Sequence, residues 1–247
     1  MNALGIVFSF LFLTFAVQSK ADTPWRELRP NEIFVDKNIQ DLAESAAKGD
    51  VQRIESLLAK GININERGIN GLTPIFSAVY VSNLQGAKTL LQFGADPNLF
   101  NDNGNTVVHV ASYLVENSSM LSILLADGGD PSIARTSDGA TPLHLIMLST
   151  NKAEVTKKLS LLIKSGASIN AINKRGEAAI IDAARLSRFE IVYRLLELGA
   201  DYTAKTKNGI PLKKYITIYP LLKKDLDQAE WREKAISFIE EKEGTVK

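Results

Sequence analysis

The chain has 247 residues, 45% hydrophobic and 23% charged, which is enough apolar material for a sizeable core and too much for a disordered chain. Its 29 Lys and Arg balance 28 Asp and Glu without a clustered basic run, which excludes the phosphate-neutralising surface that a nucleic-acid partner requires. With no Cys, a disulfide framework, a thiolate nucleophile and a lipid-bearing N-terminal cysteine are excluded as well.

Residues 1–21 open with an uncharged apolar run from Ala3 to Val17, followed by Ser19-Lys20-Ala21, a small-x-small pattern. This reads as a secretory signal peptide cut near Ala21, which places the mature chain in the periplasm. The run falls short of the roughly 20 apolar residues that span a bilayer, so no membrane span is expected once the signal is removed. One feature departs from the signal pattern: no Lys or Arg precedes the apolar run. Residues 22–37 follow as an N-terminal arm, with Trp25, Ile33 and Phe34 available to lie against the next element.

From residue 38 the chain repeats itself. "LLAKGININ", "LLQFGADPN", "LLADGGDPS", "LIKSGASIN" and "LLELGADYT" align on Gly61, Gly94, Gly128, Gly166 and Gly199, in steps of 33, 34, 38 and 33. A second anchor lies between them: "GLTPIFSAV", "GNTVVHVAS", "GATPLHLIM" and "GEAAIIDAA" start at Gly71, Gly104, Gly139 and Gly176, in steps of 33, 35 and 37. Two anchors that keep one period define a repeat unit. In Thr73-Pro74 and Thr141-Pro142, threonine can cap a helix whose first position is a proline, where no N–H is missed. The second helices, such as Glu190 to Gly199, put Ile191, Leu195 and Leu198 on one face and end in a glycine suited to a left-handed C-cap. Segments such as "ADPNLFNDNGNT" then supply the turn residues of a projecting, hairpin-like finger.

On these residues the chain resembles the ankyrin-repeat family from about Ile39 to Tyr219, most specifically in "GATPLHLIM" and "LLELGAD". The resemblance implies an all-α solenoid of five to six helix-turn-helix units with short hairpin fingers over residues 38–219. One unit cannot bury its apolar stripe alone, so stacking neighbours supply the stability. "NIQDLAESAAKGD" reads as a capping unit with Gln40, Glu44 and Lys48 outward. Residues 220–247 read as a charged capping helix in which Trp231, Ile236 and Ile239 close the stack. The extra residues within 145–166 are expected as a longer loop between two helices, with Lys152, Lys157 and Lys158 in solvent.

Catalytic chemistry finds no support. His109 and His144 are the only histidines, and both stand in the "TPLH"-type anchor, where the resemblance implies structural hydrogen bonds within and between units. Asp96, Asp130 and Asp201 recur one unit apart, where they suit local bonds to turn N–H groups rather than a paired acid–base site. There is no phosphate loop, nucleophile elbow or metal-ligand spacing, so no catalytic residue, metal or cofactor is expected and the chain does not read as an enzyme.

What remains is surface. The resemblance implies a concave face built from finger tips and first helices. It carries over to Arg67, Asn70, Leu72, Tyr80 and Val81 in one unit and to Phe100, Asp102, Asn103, Asn105, Tyr113 and Leu114 in the next. Arg135, Ser137, Asp138 and Leu148 follow, and then Ile172, Lys174, Arg175, Arg185 and Leu186. Aromatic and arginine side chains dominate protein interfaces, which singles out Tyr80, Phe100, Tyr113 and Arg135. The expectation is a protein, monomeric when free, that grips one protein partner on this face. The two flanks are similar to those of bacterial periplasmic ankyrin proteins, a type associated with immunity to toxins that include lipase effectors of type VI secretion. A secreted effector or scaffold that binds host or envelope proteins is the alternative.

Overall fold

The computed structural model describes residues 29–218 and 228–245. The expected signal peptide, its cleavage near Ala21, Trp25 and the stretch before Gln228 lie outside the described residues. Among those described, no helix is long and apolar enough to cross a membrane. The chain forms two compact units, one of residues up to Phe93 with Asn101–Asn103, the other of Gly94–Phe100 with the chain from Gly104 onward.

The first unit holds α1 (Pro30–Ile33), α2 (Lys37–Lys48), α3 (Val51–Leu58), α4 (Pro74–Tyr80) and α5 (Leu84–Gln92). Short polar side chains start three of these helices, because the first N–H groups of a helix have no partner inside it. Asp36 accepts from the Asn38 N–H at 2.7 Å, Asp50 from Arg53 at 3.0 Å, and Asn83 from Gly86 at 2.9 Å. The helices meet on Leu42, Ala46, Ile54, Leu57, Ala78, Val79 and Leu90, all without solvent exposure. Small residues let α2 and α5 approach closely: a Cβ on Gly86 would lie 1.8 Å from the Ala46 carbonyl oxygen. Ile33 and Phe34 are buried, and Gln40 donates to the Phe34 carbonyl at 2.6 Å.

The second unit holds α6 (Val107–Tyr113), α7 (Ser119–Ala126), α8 (Pro142–Leu145), α9 (Lys152–Lys164), α10 (Ala179–Arg185), α11 (Phe189–Glu197), α12 (Leu212–Ile218) and α13 (Ala229–Thr245). Each pair of helices runs out into a turn, and the hairpin character of the fingers is visible in antiparallel bridges between Ile172 and Ala178 and between Lys205 and Pro211. Met120, Leu121, Leu124, Ile146, Val155, Leu162, Ile181, Val192, Leu195 and Ile216 fill the interior. Helix α13 packs on α11 and α12. Its Ile239 is buried and its Ile236 half-buried, and Trp231 sits 5.7 Å from the Tyr193 ring with the Lys234 ammonium 4.4 Å from its centroid.

Three local expectations are corrected. The extra residues of the third step do not form a long loop between helices. Asn151 caps the second helix through the Glu154 N–H (3.2 Å), and the added length goes into α9, which reaches 13 residues. Lys158 is not in solvent: it falls on the inward stripe with Val155, Leu159 and Leu162 and is fully buried. Its ammonium donates to the carbonyls of Ser112 (3.0 Å) and Val115 (2.6 Å), at the end of α6, where helix carbonyls lack intrahelical partners. Finally, Thr73 does not cap α4 with its hydroxyl, which is buried and without a partner. The hydroxyls of Thr106 and Thr141 bond the imidazole three residues on, at 3.0 and 2.9 Å, and Phe76 offers Thr73 no such group.

Candidate protein-binding surface

The finger turns and the ends of the first helices determine where the expected surface residues point. In the first unit, Asn70 takes a left-handed conformation (φ 63°) that folds the turn back, and its carbonyl accepts from the Asp102 N–H at 2.9 Å. Arg67 and Asp102, both exposed, pair across this joint at 3.1 Å. Asn103 is half-buried, its N–H bonded to the Asn101 side chain at 3.1 Å. Tyr80 is half-buried with its ring 5.9 Å from that of Phe76, and Val81 beside it is 58% exposed. Leu72 is a correction: it is 1% exposed and belongs to the core. Its carbonyl closes the turn by accepting from the Gly68 N–H (2.8 Å), and its side chain lies inside with Ile75 and Phe76.

In the second unit Phe100, Tyr113 and Leu114 are half-buried, while Leu148, Ile172 and Leu186 are exposed. Asn105 is buried, against expectation, on the finger side of Thr106. Arg135 is a third correction to the exposed set, after Leu72 and Asn105. Its side chain is only 12% exposed and is clamped by Asp138, with Nε donating to Oδ1 at 2.9 Å. Asp138 is half-buried; burial pushes its carboxyl up, but Arg135 and the Ala140 N–H outweigh this and hold it below the usual range. Lys174, exposed, donates its ammonium to the carbonyls of Thr136 (2.6 Å) and Ser137 (3.2 Å) in the preceding finger.

Arg175 and Arg185 converge on two buried carboxylates. The Glu177 side chain receives Arg175 Nε at 2.9 Å, Arg185 Nη2 at 2.8 Å and the Lys207 N–H at 2.9 Å. Asp182 pairs with both guanidiniums. Arg175 remains partly exposed, but the Arg185 side chain is 16% exposed, so its expected availability to a partner is also corrected. The network is electrically balanced, two cations against two anions, as buried charges must be to offset desolvation. Burial pushes Glu177 up, but the Lys207 N–H and the guanidiniums hold it below the ordinary range; burial raises Asp182. Sequence patterning missed this network because Glu177 takes the place held by Leu72, Asn105 and Ala140 in the other units, where nothing charged is required.

Both histidines lie in the interior. Each accepts the N–H of the threonine three residues back through Nδ1, at 3.0 Å for His109 and 3.1 Å for His144. His144 Nε2 also reaches the Glu177 carbonyl at 3.0 Å, a bond between successive units. Burial pushes the His109 imidazole down to about 4, so it stays neutral at physiological pH. Asp96, Asp130 and Asp201 accept turn N–H bonds from Asn98, Ser132 and Thr203 at 2.7 to 2.8 Å. Among the described residues no group of three His, Asp or Glu is placed to hold a metal ion.

This arrangement of paired helices and fingers has known counterparts. The model of the family "Ankyrin repeats (3 copies)" matches residues 42–134 and 113–206. The chain is 30% identical over 147 residues to Protein PhlB of Serratia liquefaciens, covering 60% of this chain and 62% of that protein. It is 29% identical over 176 residues to a putative palmitoyltransferase, ZDHHC13, of Danio rerio, covering 70% of this chain but only 26% of that one. The chain thus spans less than two thirds of the length of these relatives. Its fold superimposes on the crystal structure of the human ASB11 ankyrin repeat domain with a TM-score of 0.59 at 21% identity, over 81% of this chain and 82% of that one. With a family model matched across both compact units and the fold of a solved ankyrin domain, the chain belongs to the ankyrin-repeat family.

Proposed function

We propose that this ankyrin-repeat chain is an exported, periplasmic binding protein that holds one protein partner on the face made by finger tips and first-helix ends. Its role is that of an immunity protein, neutralising an antibacterial toxin such as a phospholipase effector by covering the mouth of the toxin's active site. The observation that carries the reading is where the exposed apolar side chains fall. Val81 (58%) in the first unit, and Leu148 (37%), Leu186 (41%) and Ile218 (54%) in the second, are exposed at or just past the last residue of a first helix. Scattered exposed apolar residues are common, but their return at first-helix ends, three times within the second unit, suits an interaction surface. The apolar N-terminal run followed by Ser19-Lys20-Ala21 supports export.

The test is to express the mature chain with a tag and recover what it retains from periplasmic and secreted fractions of its own organism. A single enzyme at equal stoichiometry, inactive in the complex and active when released, is the expected result. Retention of host or envelope proteins alone would move the chain to the effector or scaffold reading, and retention of nothing would remove the binder. A standard interface would bury about 1,600 Å² in total.

A further inference from the structure

Successive fingers are tied together through the backbone until the last joint. Asp102 donates to the Asn70 carbonyl at 2.9 Å in the first unit; in the second, Thr136 donates to Gly104 at 3.3 Å and Lys174 to Asp138 at 2.8 Å. The glycines of these turns lie hard against the following finger. A Cβ on Gly71 would meet Asp102 Oδ1 at 2.4 Å, on Gly104 the Thr136 hydroxyl at 1.9 Å, and on Gly139 the Lys174 nitrogen at 2.9 Å. Gly176 holds the corresponding place in the next turn with the same φ as Gly139, yet a Cβ there would meet nothing within 4 Å. The Lys207 N–H, which by register belongs to the backbone of the Gly176 turn, goes instead to the Glu177 carboxylate. A buried side chain thus replaces the backbone tie, and the two fingers stand apart around a cleft of about 470 Å³.

The lining of this cleft is unbalanced in charge. Arg175, Lys205 and Lys207 face it, with Ile172 and Ala178 between them. Its one acid, Asp201, already binds the N–H and hydroxyl of Thr203 through Oδ1, at 2.8 and 2.7 Å. Arg175 is held in place by Glu177 and Asp182, whereas the ammonium groups of Lys205 and Lys207 form no ion pair among the described residues. Elsewhere the finger turns carry their own acids: Arg67 pairs with Asp102 and Arg135 with Asp138.

We propose that the cleft between the last two fingers receives an extended, carboxylate-bearing segment of the protein partner. The side chains of Lys205 and Lys207 meet its acids, and Ile172, 64% exposed, covers an apolar neighbour. This rests on the binder reading and names the chemistry of the partner. A space of this size takes a few side chains, which fits a segment rather than a domain surface. Polyanions are poor occupants, because the chain carries 29 Lys and Arg against 28 Asp and Glu, without the excess of positive charge that phosphate neutralisation needs. Unscreened lysines at an interface rim act chiefly on the association rate and its salt dependence.

The test titrates the ¹⁵N-labelled chain with a short peptide of alternating Glu and Ala, in wild type, in Lys205→Glu/Lys207→Glu, and in Lys37→Glu/Lys88→Glu as a charge-matched control. The amides of Arg175, Lys205 and Lys207 are expected to shift in wild type and control and stay still in the cleft variant. Binding should weaken about fivefold or more between about 50 and 300 mM salt. Absence of shifts, equal shifts in the cleft variant, or shifts with phosphatidylglycerol vesicles but not with the peptide would overturn the proposal. With a partner in hand, complex formation by the cleft variant within about twofold of wild type would remove the cleft and leave the binder standing. If no partner is ever retained the binder falls, and the peptide titration still decides the cleft.

Discussion

Lys158 offers a quantitative test of how one buried charge couples two successive units. Its side chain is fully buried, and desolvation pushes the ammonium from an ordinary 10.5 down to about 8, with Glu154 opposing weakly. Below pH 8 both folded and unfolded chains carry the proton, and stability is independent of this group. Between pH 8 and 10.5 the unfolded chain binds more protons than the folded one, so stability rises with pH across that window. A difference of about 2.5 units at 1.36 kcal/mol each corresponds to about 3 kcal/mol gained by pH 10.5. Lys158→Met keeps the unbranched length and removes the titration. Urea unfolding of wild type, K158M and the exposed control Lys157→Met, in steps from pH 7 to pH 10, isolates the effect, because other titrating groups cancel in the difference. Relative to wild type, K158M should lose about 2 to 3 kcal/mol more at pH 10 than at pH 7, and K157M should show no such trend. Parallel profiles for wild type and K158M would refute the reasoning, since a lysine that titrates normally cannot be both buried and unpaired by a carboxylate.

Thr73→Val should raise stability by about 1 kcal/mol in chemical denaturation, because it deletes a buried hydroxyl that bonds nothing; Thr141→Val should lower it by a similar amount, since His144 Nδ1 loses the hydroxyl bond and keeps only the backbone N–H at that position. Glu177→Gln is expected to cost about 3 kcal/mol, leaving the largely buried Arg185 and the partly exposed Arg175 to share Asp182 alone, and a calorimetric melting temperature reads the loss. Phe100→Ala and Tyr113→Ala, both half-buried, should each weaken the partner complex by about 1 to 4 kcal/mol with helical circular dichroism unchanged; loss of helicity would assign them to the core.

The period of the chain was legible because it is written in local chemistry. Gly61, Gly94, Gly128, Gly166 and Gly199 all adopt positive φ in the structure, and Pro74 and Pro142 open their helices, as backbone sterics at those positions demand. Repeat length, helix pairing and the all-α class follow from signals that span a few residues each. The places where patterning failed are those decided by a neighbouring unit. Lys158 reads as a surface lysine until a second helix end is placed over it with two bare carbonyls. Arg135 and Arg185 have the composition of interface anchors, but Asp138 in one case and Glu177 with Asp182 in the other take up their guanidiniums. Leu72 looked outward by analogy of position, and the closure of its turn sent it inward. Likewise the open joint at Gly176 has the same glycine and the same φ as the closed joint at Gly139, and differs in that the Lys207 N–H goes to the Glu177 carboxylate rather than to the backbone of the preceding turn. The sequence by itself determined the unit, its caps and its turns, because these depend on neighbours along the chain. The tertiary structure decided which charges are spent holding units together and which remain for a partner, because that depends on groups some 30 to 46 residues apart, brought within hydrogen-bond distance by stacking.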